Sequence, residues 1–257
     1  MNRRTFVRRS LVAASATVLS TKVTTNMLAG GRNSAPEANL PATAIRPLTS
    51  VNRFTFARLR YKSGNWDADP KMPSNLLNSL VEYTSISVDP NERIVDVGSQ
   101  ALFDYPFVYL TGNKVVRFSE AERANLRRYV RNGGFLFVDD CNHDIDGTFA
   151  KTFESEIKMI LDRPAESLRK LPKQHSLYQA FFKFPEGAPA TSHELNGWGD
   201  DIVHDYLQAI EINGRIGVLY SNKDYGCEWN YDWPNKRFAT KDNTQFGVNI
   251  IVYALTH

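Results

Sequence analysis

Residues 129–147 read YVRNGGFLFVDDCNHDIDG, an apolar run that ends abruptly in Asp139, Asp140, Cys141, His143, Asp144 and Asp146. A carboxylate at the end of a buried strand can act as a general base for water, and a nearby imidazole can carry the proton onward. Asp139 and Asp140 are therefore candidate catalytic bases, with His143 as the proton shuttle. Adjacent strand residues point to opposite faces, so one of the two carboxylates is expected to reach a substrate. The same residue types could ligate a metal, but their spacing matches no established zinc or calcium loop. Neither a metal nor another cofactor is assigned on this pattern. The competing structural reading is helix capping, with Asp144 or Asp146 placed just before TFAKTF.

Three further segments following apolar runs carry polar and aromatic groups. Trp66, Asp67 and Asp69 follow Tyr61; Thr111, Gly112 and Asn113 follow Leu110; Asp224, Tyr225, Cys227, Glu228, Trp229 and Asp232 follow Tyr220. Trp66, Asp67, Thr111, Gly112, Cys141, Asp224, Glu228 and Trp229 are the expected ligand-binding set, with Trp66, Tyr225 and Trp229 stacking on a ligand and the carboxylates accepting its hydrogen bonds. Packing beneath a loop is the alternative for each aromatic. Cys141 and Cys227 are the two cysteines of the chain. In an oxidising compartment an even count fits a disulfide, and two free thiols fit equally well. His175, after the Pro172 turn, reads as a loop-fixing residue.

The elements that must position these groups are legible from periodicity. FTFARLRY (54–61) alternates apolar and basic residues as a strand, and Leu76, Leu77, Leu80 and Val81 fall at helical spacing behind Pro73 and Ser74. RIVDV and FVYLTG are short runs suited to buried strands. SEAERANLRRYVRNGG opens with a capping box, Ser119 and Glu122, and stops at Gly133. FLFVDD then completes a βαβ unit, and TFAKTFESEIKMIL forms the next helix. Residues 162–205 are irregular and expected to cover the sheet edge. LQAIEINGRIGVLYSN holds two strands around Asn213-Gly214, a type I′ hairpin signal, and NTQFGVNIIVYALTH closes as a helix. The order implies an α/β three-layer sandwich with a mostly parallel sheet and one β-hairpin. Parallel strands put their carboxyl ends on one side, so the candidate residues are expected to line one concavity there.

FTFARLRYKSGNWDADPKMPSNLLNSL, FDYPFVYLTGNKVVRFSEAERANLRRYVRNGGFLFVDDC, LPKQHSLYQAFF and GVNIIVYAL follow in order the pattern of the DUF4159 family, which the chain resembles from Phe54 to Leu255. The resemblance implies a flavodoxin-like, class I glutamine amidotransferase-like fold, no known activity, and genes set beside MoxR-type ATPases and other cell-envelope proteins. Amidotransferase chemistry itself is not expected. Those enzymes hold their nucleophile in a Gly-x-Cys-x-Gly elbow, whereas Cys141 is flanked by Asp139, Asp140, Asn142 and His143. Two preceding carboxylates oppose thiolate formation. The late His-x-Glu pair is missing as well, since His193 and Glu194 are adjacent.

The N-terminus sets the compartment. Arg3-Arg4 precedes Thr5-Phe6-Val7 and a weakly apolar Ala/Ser-rich stretch, which resembles a twin-arginine (Tat) export signal. Ser10, Ser15, Ser20, Thr21 and Lys22 interrupt the run well short of the roughly 20 apolar residues a membrane span needs. Residues 1–44 are thus expected to be signal and linker, with cleavage near Ala42–Ala44 or Ala29, and residues 45–257 one domain. Six of the 31 Lys/Arg and one of the 28 Asp/Glu lie in residues 1–44. The remaining 25 and 27 give a formal charge of −2 in place of +3, which removes any case for nucleic-acid binding. The expectation is a soluble periplasmic or otherwise exported protein that binds a small molecule, glycan or envelope protein without catalysis. The alternative is a hydrolase built on Asp139, Asp140 and His143, metal-assisted or not.

Overall fold

Phe107–Gly112 (β3) and Phe135–Asp140 (β4) are buried at every position, as central strands covered on both faces must be. Around them a computed structural model places β1 (Ala57–Arg60), β2 (Arg93–Asp96), β5 (Arg169–Lys170), β6 (Gln208–Ile212) and β7 (Arg215–Ser221). The seven strands form one sheet in the order β2-β1-β3-β4-β7-β6-β5. The structure describes residues 53–141, 147–195, 203–231 and 241–257. All of these lie in the second of two units, Ala44–His257. The expected signal and linker, and His143, Asp144, Asp146 and Asp232, fall outside the described residues.

β1 pairs in parallel with β2 and β3, β3 with β4, and β4 with β7. β6 is antiparallel to β7, joined through Asn213 and Gly214, whose φ values of 54° and 78° are those of a type I′ turn. The hairpin therefore leaves β7 running with β1, β3 and β4, and all four deliver their carboxyl ends to one edge. The short β5 pairs with β6 at the far side, so part of the irregular stretch does cover the sheet there.

Two helical layers complete the sandwich. Alternate residues of the strands, Phe56, Phe107, Tyr109, Phe135 and Phe137, pack against α1 (Met72–Tyr83), α5 (Tyr225–Trp229) and α6 (Lys241–Thr256). Their neighbours Ala57, Leu59, Val108, Leu110 and Val138 pack against α2 (Glu120–Arg131) and α3 (Thr148–Ile160). A one-turn helix, α4 (Ser192–Leu195), lies in the connection between β5 and β6. The Ser119–Glu122 capping box is formed in both directions. The N-cap of α3 is Gly147, which makes no side-chain cap bond; the expected capping by Asp144 or Asp146 belongs to residues outside the description. Among the described residues, no helix is long and apolar enough to cross a membrane.

Candidate functional site

Asp139 and Asp140 end β4 on opposite faces, and both are fully buried. Asp139 enters the α1/α5/α6 side. Its Oδ1 accepts the Tyr225 N–H at 3.2 Å, and its Oδ2 accepts the Gly226 N–H at 2.6 Å and the Tyr109 hydroxyl at 3.4 Å. Burial, then the charge of Asp224, pushes its pKa well above the usual carboxylate value, while the Gly226 N–H opposes the shift. Asp140 enters the α2/α3 side, where Tyr220 donates to its Oδ2 at 3.2 Å. Burial and the Asp140 charge in turn hold the Tyr220 hydroxyl protonated. Asp139 thus fastens the first turn of α5 to the end of β4, and Asp140 fastens β7 to β4.

Above Asp139, four acidic side chains meet. One ligand atom from each of Asp69, Cys141, Asp224 and Cys227 lies within 4.8 Å of the other three. The Cys141 thiol donates to Asp69 Oδ2 at 3.6 Å and the Cys227 thiol to Asp69 Oδ1 at 3.5 Å. Both cysteines are free, Cys141 partly covered and Cys227 exposed, so the cluster is reached from solvent on the Cys227 side. Asp224 is the N-cap of α5 and accepts the Cys227 N–H at 3.3 Å. Asp69 and Asp224 both adopt left-handed backbone conformations, φ 55° and 56°, which aspartate tolerates better than most residues.

The local sequence explains why these groups converge. Arg58 in β1 is buried, donating to Glu92 at 2.8 Å and to the carbonyls of Trp66, Ala68 and Asp69. That fork pulls the 66–69 backbone onto the sheet edge and leaves the Asp69 carboxylate to the thiols. Gly226 is required beneath it, since a Cβ there would sit 2.7 Å from Asp69 Oδ2 and 2.8 Å from the Tyr109 hydroxyl. The neighbouring cation, Lys223, is buried and turned away to Glu194 and the His204 carbonyl.

Burial and neighbouring charge raise three of the four groups. Burial, then Asp224, raises the Asp69 carboxyl, while the two thiols and Arg58 lower it. The neighbouring Cys227 thiol lowers the Cys141 thiol, but burial and the carboxylates of Asp224, Asp69 and Asp139 outweigh it, and the result is a rise. Cys227 is raised by its contact with Cys141, by burial and by the carboxylates of Asp224 and Asp69. Neither thiol is therefore an activated nucleophile.

The predicted set divides. Cys141 and Asp224 are in the cluster, joined by Asp69 and Cys227. Thr111 lies below it, its hydroxyl donating to the Asp139 carbonyl at 2.8 Å, and the Gly112 carbonyl accepts the Cys141 N–H at 3.0 Å. Trp229 is a core residue, buried, stacked on Tyr225 and donating from Nε1 to the Asn243 carbonyl at 3.0 Å; neither ring offers a face to a ligand. Glu228 is turned toward Asn243 and the Ser192 N–H. Trp66 lines a separate hollow of about 610 Å³ with Arg60, Asp96 and Glu122, and Asp67 is exposed. Another hollow of about 340 Å³ lies between α3 and β7, beside His204 and Glu166. The described residues expected in one concavity are thus spread over a small Cys/Asp cluster, its supports, the core and a separate hollow, and His143 lies outside the described residues.

Asp69 and Cys227 are the members that the expected site left out. The doublet Asp67-Ala68-Asp69 offers two carboxylates, and nothing in the pattern marks the second as the one drawn in, because the buried Arg58 looks like an ordinary alternating strand residue. Cys227 lies on a short helix, where the sequence reads as a loop.

A family profile described as Domain of unknown function (DUF4159) matches residues 55–255. No protein of curated function matches the chain.

Proposed function

The chain belongs to the DUF4159 family, and from that premise we propose that it is an exported envelope protein whose sheet edge binds a ligand or partner without transforming it. In this reading residues 1–44 are a Tat-type signal and linker. The mature part is a soluble periplasmic module of class I glutamine amidotransferase-like fold that lacks amidotransferase chemistry. Its partners are a small molecule, a glycan or another envelope protein.

One observation carries the reading. Asp69, Cys141, Asp224 and Cys227 come from three separate strand ends and meet at one solvent-reached point. Binding at the carboxyl edge of an open parallel sheet is the usual use of this architecture. A hydrolase draws less support, because a general base needs a lone pair turned to water. Both Asp139 oxygens are engaged by N–H groups of α5, and Asp140 is buried against Tyr220.

Two measurements test it. Residues 1–44 fused to a folded fluorescent protein are expected to carry it across the membrane only while Arg3-Arg4 is intact. Export that survives Arg3→Lys with Arg4→Lys removes the Tat route. Hydrogen exchange of the full-length chain, with soluble envelope extract split by size as the probe, is expected to show joint protection of 66–70 and 224–229. Protection by the low-mass fraction identifies a small molecule, and protection by the other fraction identifies a glycan or protein. No protection with either fraction, or protection confined elsewhere, contradicts a binding role for this edge.

A further inference from the structure

Two thiols and two carboxylates, from Cys141, Cys227, Asp69 and Asp224, each bring one possible ligand atom within 4.8 Å of the other three. Tetrahedral zinc, with bonds of about 2.3 Å to sulfur and about 2.0 Å to oxygen, sets adjacent sulfur and oxygen ligands about 3.5 Å apart. Cys227 Sγ lies 3.5 Å from Asp69 Oδ1 and Cys141 Sγ 3.6 Å from Asp69 Oδ2, so each thiol stands at that spacing from one oxygen of the carboxylate. We propose that Asp69, Cys141, Asp224 and Cys227 are a binding site for one thiophilic divalent cation of the zinc class.

The donor chemistry selects the ion. Calcium and magnesium take oxygen ligands in larger or octahedral shells, and two sulfur donors count against both. A mixed S₂O₂ set in a tetrahedral arrangement suits zinc, with cobalt(II) as a spectroscopic substitute. The site is also pre-shaped. Arg58 holds the 66–69 backbone through three carbonyls, and Asp139 holds the start of α5 through two N–H groups. These are the supports that keep ligands oriented around a metal. Lys223 is bonded to Glu194, and the Arg58 donors go to Glu92 and to the backbone carbonyls of residues 66, 68 and 69. Cys227 is the exposed ligand and gives the entry path. The residues are dispersed over 158 positions, at 69, 141, 224 and 227, with no short spacing motif beyond Asp224-x-x-Cys227.

This proposal rests on reading the edge as a binding site, and its test separates the two. The full-length chain is purified without a histidine tag, reduced with a non-chelating phosphine, stripped with chelator and titrated with zinc. About one zinc per chain is expected to survive desalting, and an excess of magnesium is not expected to displace it. Cobalt(II) in its place is expected to give sulfur-to-cobalt charge-transfer absorption. Cys227→Ser, at an exposed position, and Asp224→Asn are each expected to weaken zinc binding by at least about tenfold. Thermal unfolding of the stripped variants checks that they fold, and Cys227→Ser alone keeps the test decisive if Asp224→Asn does not. The proposal is overturned by zinc that washes out, by retention unchanged in Cys227→Ser, or by cobalt spectra without a sulfur band. A chain isolated with Cys141 and Cys227 joined that gains no zinc affinity on reduction overturns it too. If zinc is not retained but the envelope extract still protects 66–70 and 224–229, only the metal proposal falls; if neither occurs, the binding reading falls with it.

Discussion

At the scale of single residues, the decisive side chain is Asp139. A carboxylate at a strand's carboxyl end is the usual place to look for a base, and residue type and position alone assign Asp139 that role. Its surroundings give it a different one: two backbone N–H groups and a tyrosine hydroxyl converge on it in a site closed to water. Removing it strands those donors, and a buried unsatisfied donor costs about 1–3 kcal/mol. Asp139→Ala is therefore expected to lower unfolding free energy by about 3 kcal/mol, measured by urea denaturation. A loss within the roughly ±0.5 kcal/mol of an ordinary surface change would return Asp139 to the list of solvent-facing functional groups. Asp69 shows the reverse case. It is one of two carboxylates separated by a single alanine, and only the burial of Arg58 decides between them. Periodicity cannot reveal that burial, because an arginine alternating with apolar residues has the same pattern whether its face is wet or covered.

At the scale of elements, His175 illustrates how local chemistry fixes a connection. It caps the 3₁₀ turn Ser176–Gln179: Nδ1 accepts the Leu177 N–H at 3.1 Å, and Nε2 meets Glu211 Oε1 at 3.2 Å. The cap needs an unprotonated Nδ1, and burial lowers the imidazole pKa while Glu211 pulls it upward and His257 downward. A lowered folded pKa means that the unfolded chain takes up the proton first as pH falls below about 6.5. The stabilisation from His175 is thus complete above that value and is lost as pH drops toward the lowered folded pKa. Urea midpoints are expected to fall from pH 7 to pH 5, and His175→Asn, which keeps a capping acceptor but cannot titrate, is expected to reduce that slope. An unchanged slope assigns the effect to other groups, among them His204, whose pKa burial also lowers. The loop-fixing role of His175 was legible from its place after the Pro172 turn. So were β3, β4, the capping box of α2 and the Asn213-Gly214 hairpin, because each has a local signature. α5 has only its Asp224 cap, three residues from the N–H it accepts; its first turn is otherwise held by Asp139, which lies 86 residues away in sequence.

At the scale of the whole molecule, topology does what no segment can. The parallel pairing of β1, β3, β4 and β7, with β6 antiparallel, gives those four strands a common direction, and loops 158 residues apart then share one edge. That edge was readable from strand order. Which side chains turn into it was not, since Trp229 goes to the core, Glu228 to Asn243, and Asp69 and Cys227 to the cluster. The binding site proposed at this edge is built around the Cys₂Asp₂ set. Zinc K-edge X-ray absorption of the loaded full-length chain addresses it most directly. The expected first shell is two sulfurs at about 2.3 Å and two oxygens at about 2.0 Å, with no imidazole outer-shell scattering. A shell of oxygen or nitrogen alone, or one containing histidine, would mean that zinc binds elsewhere and would contradict it.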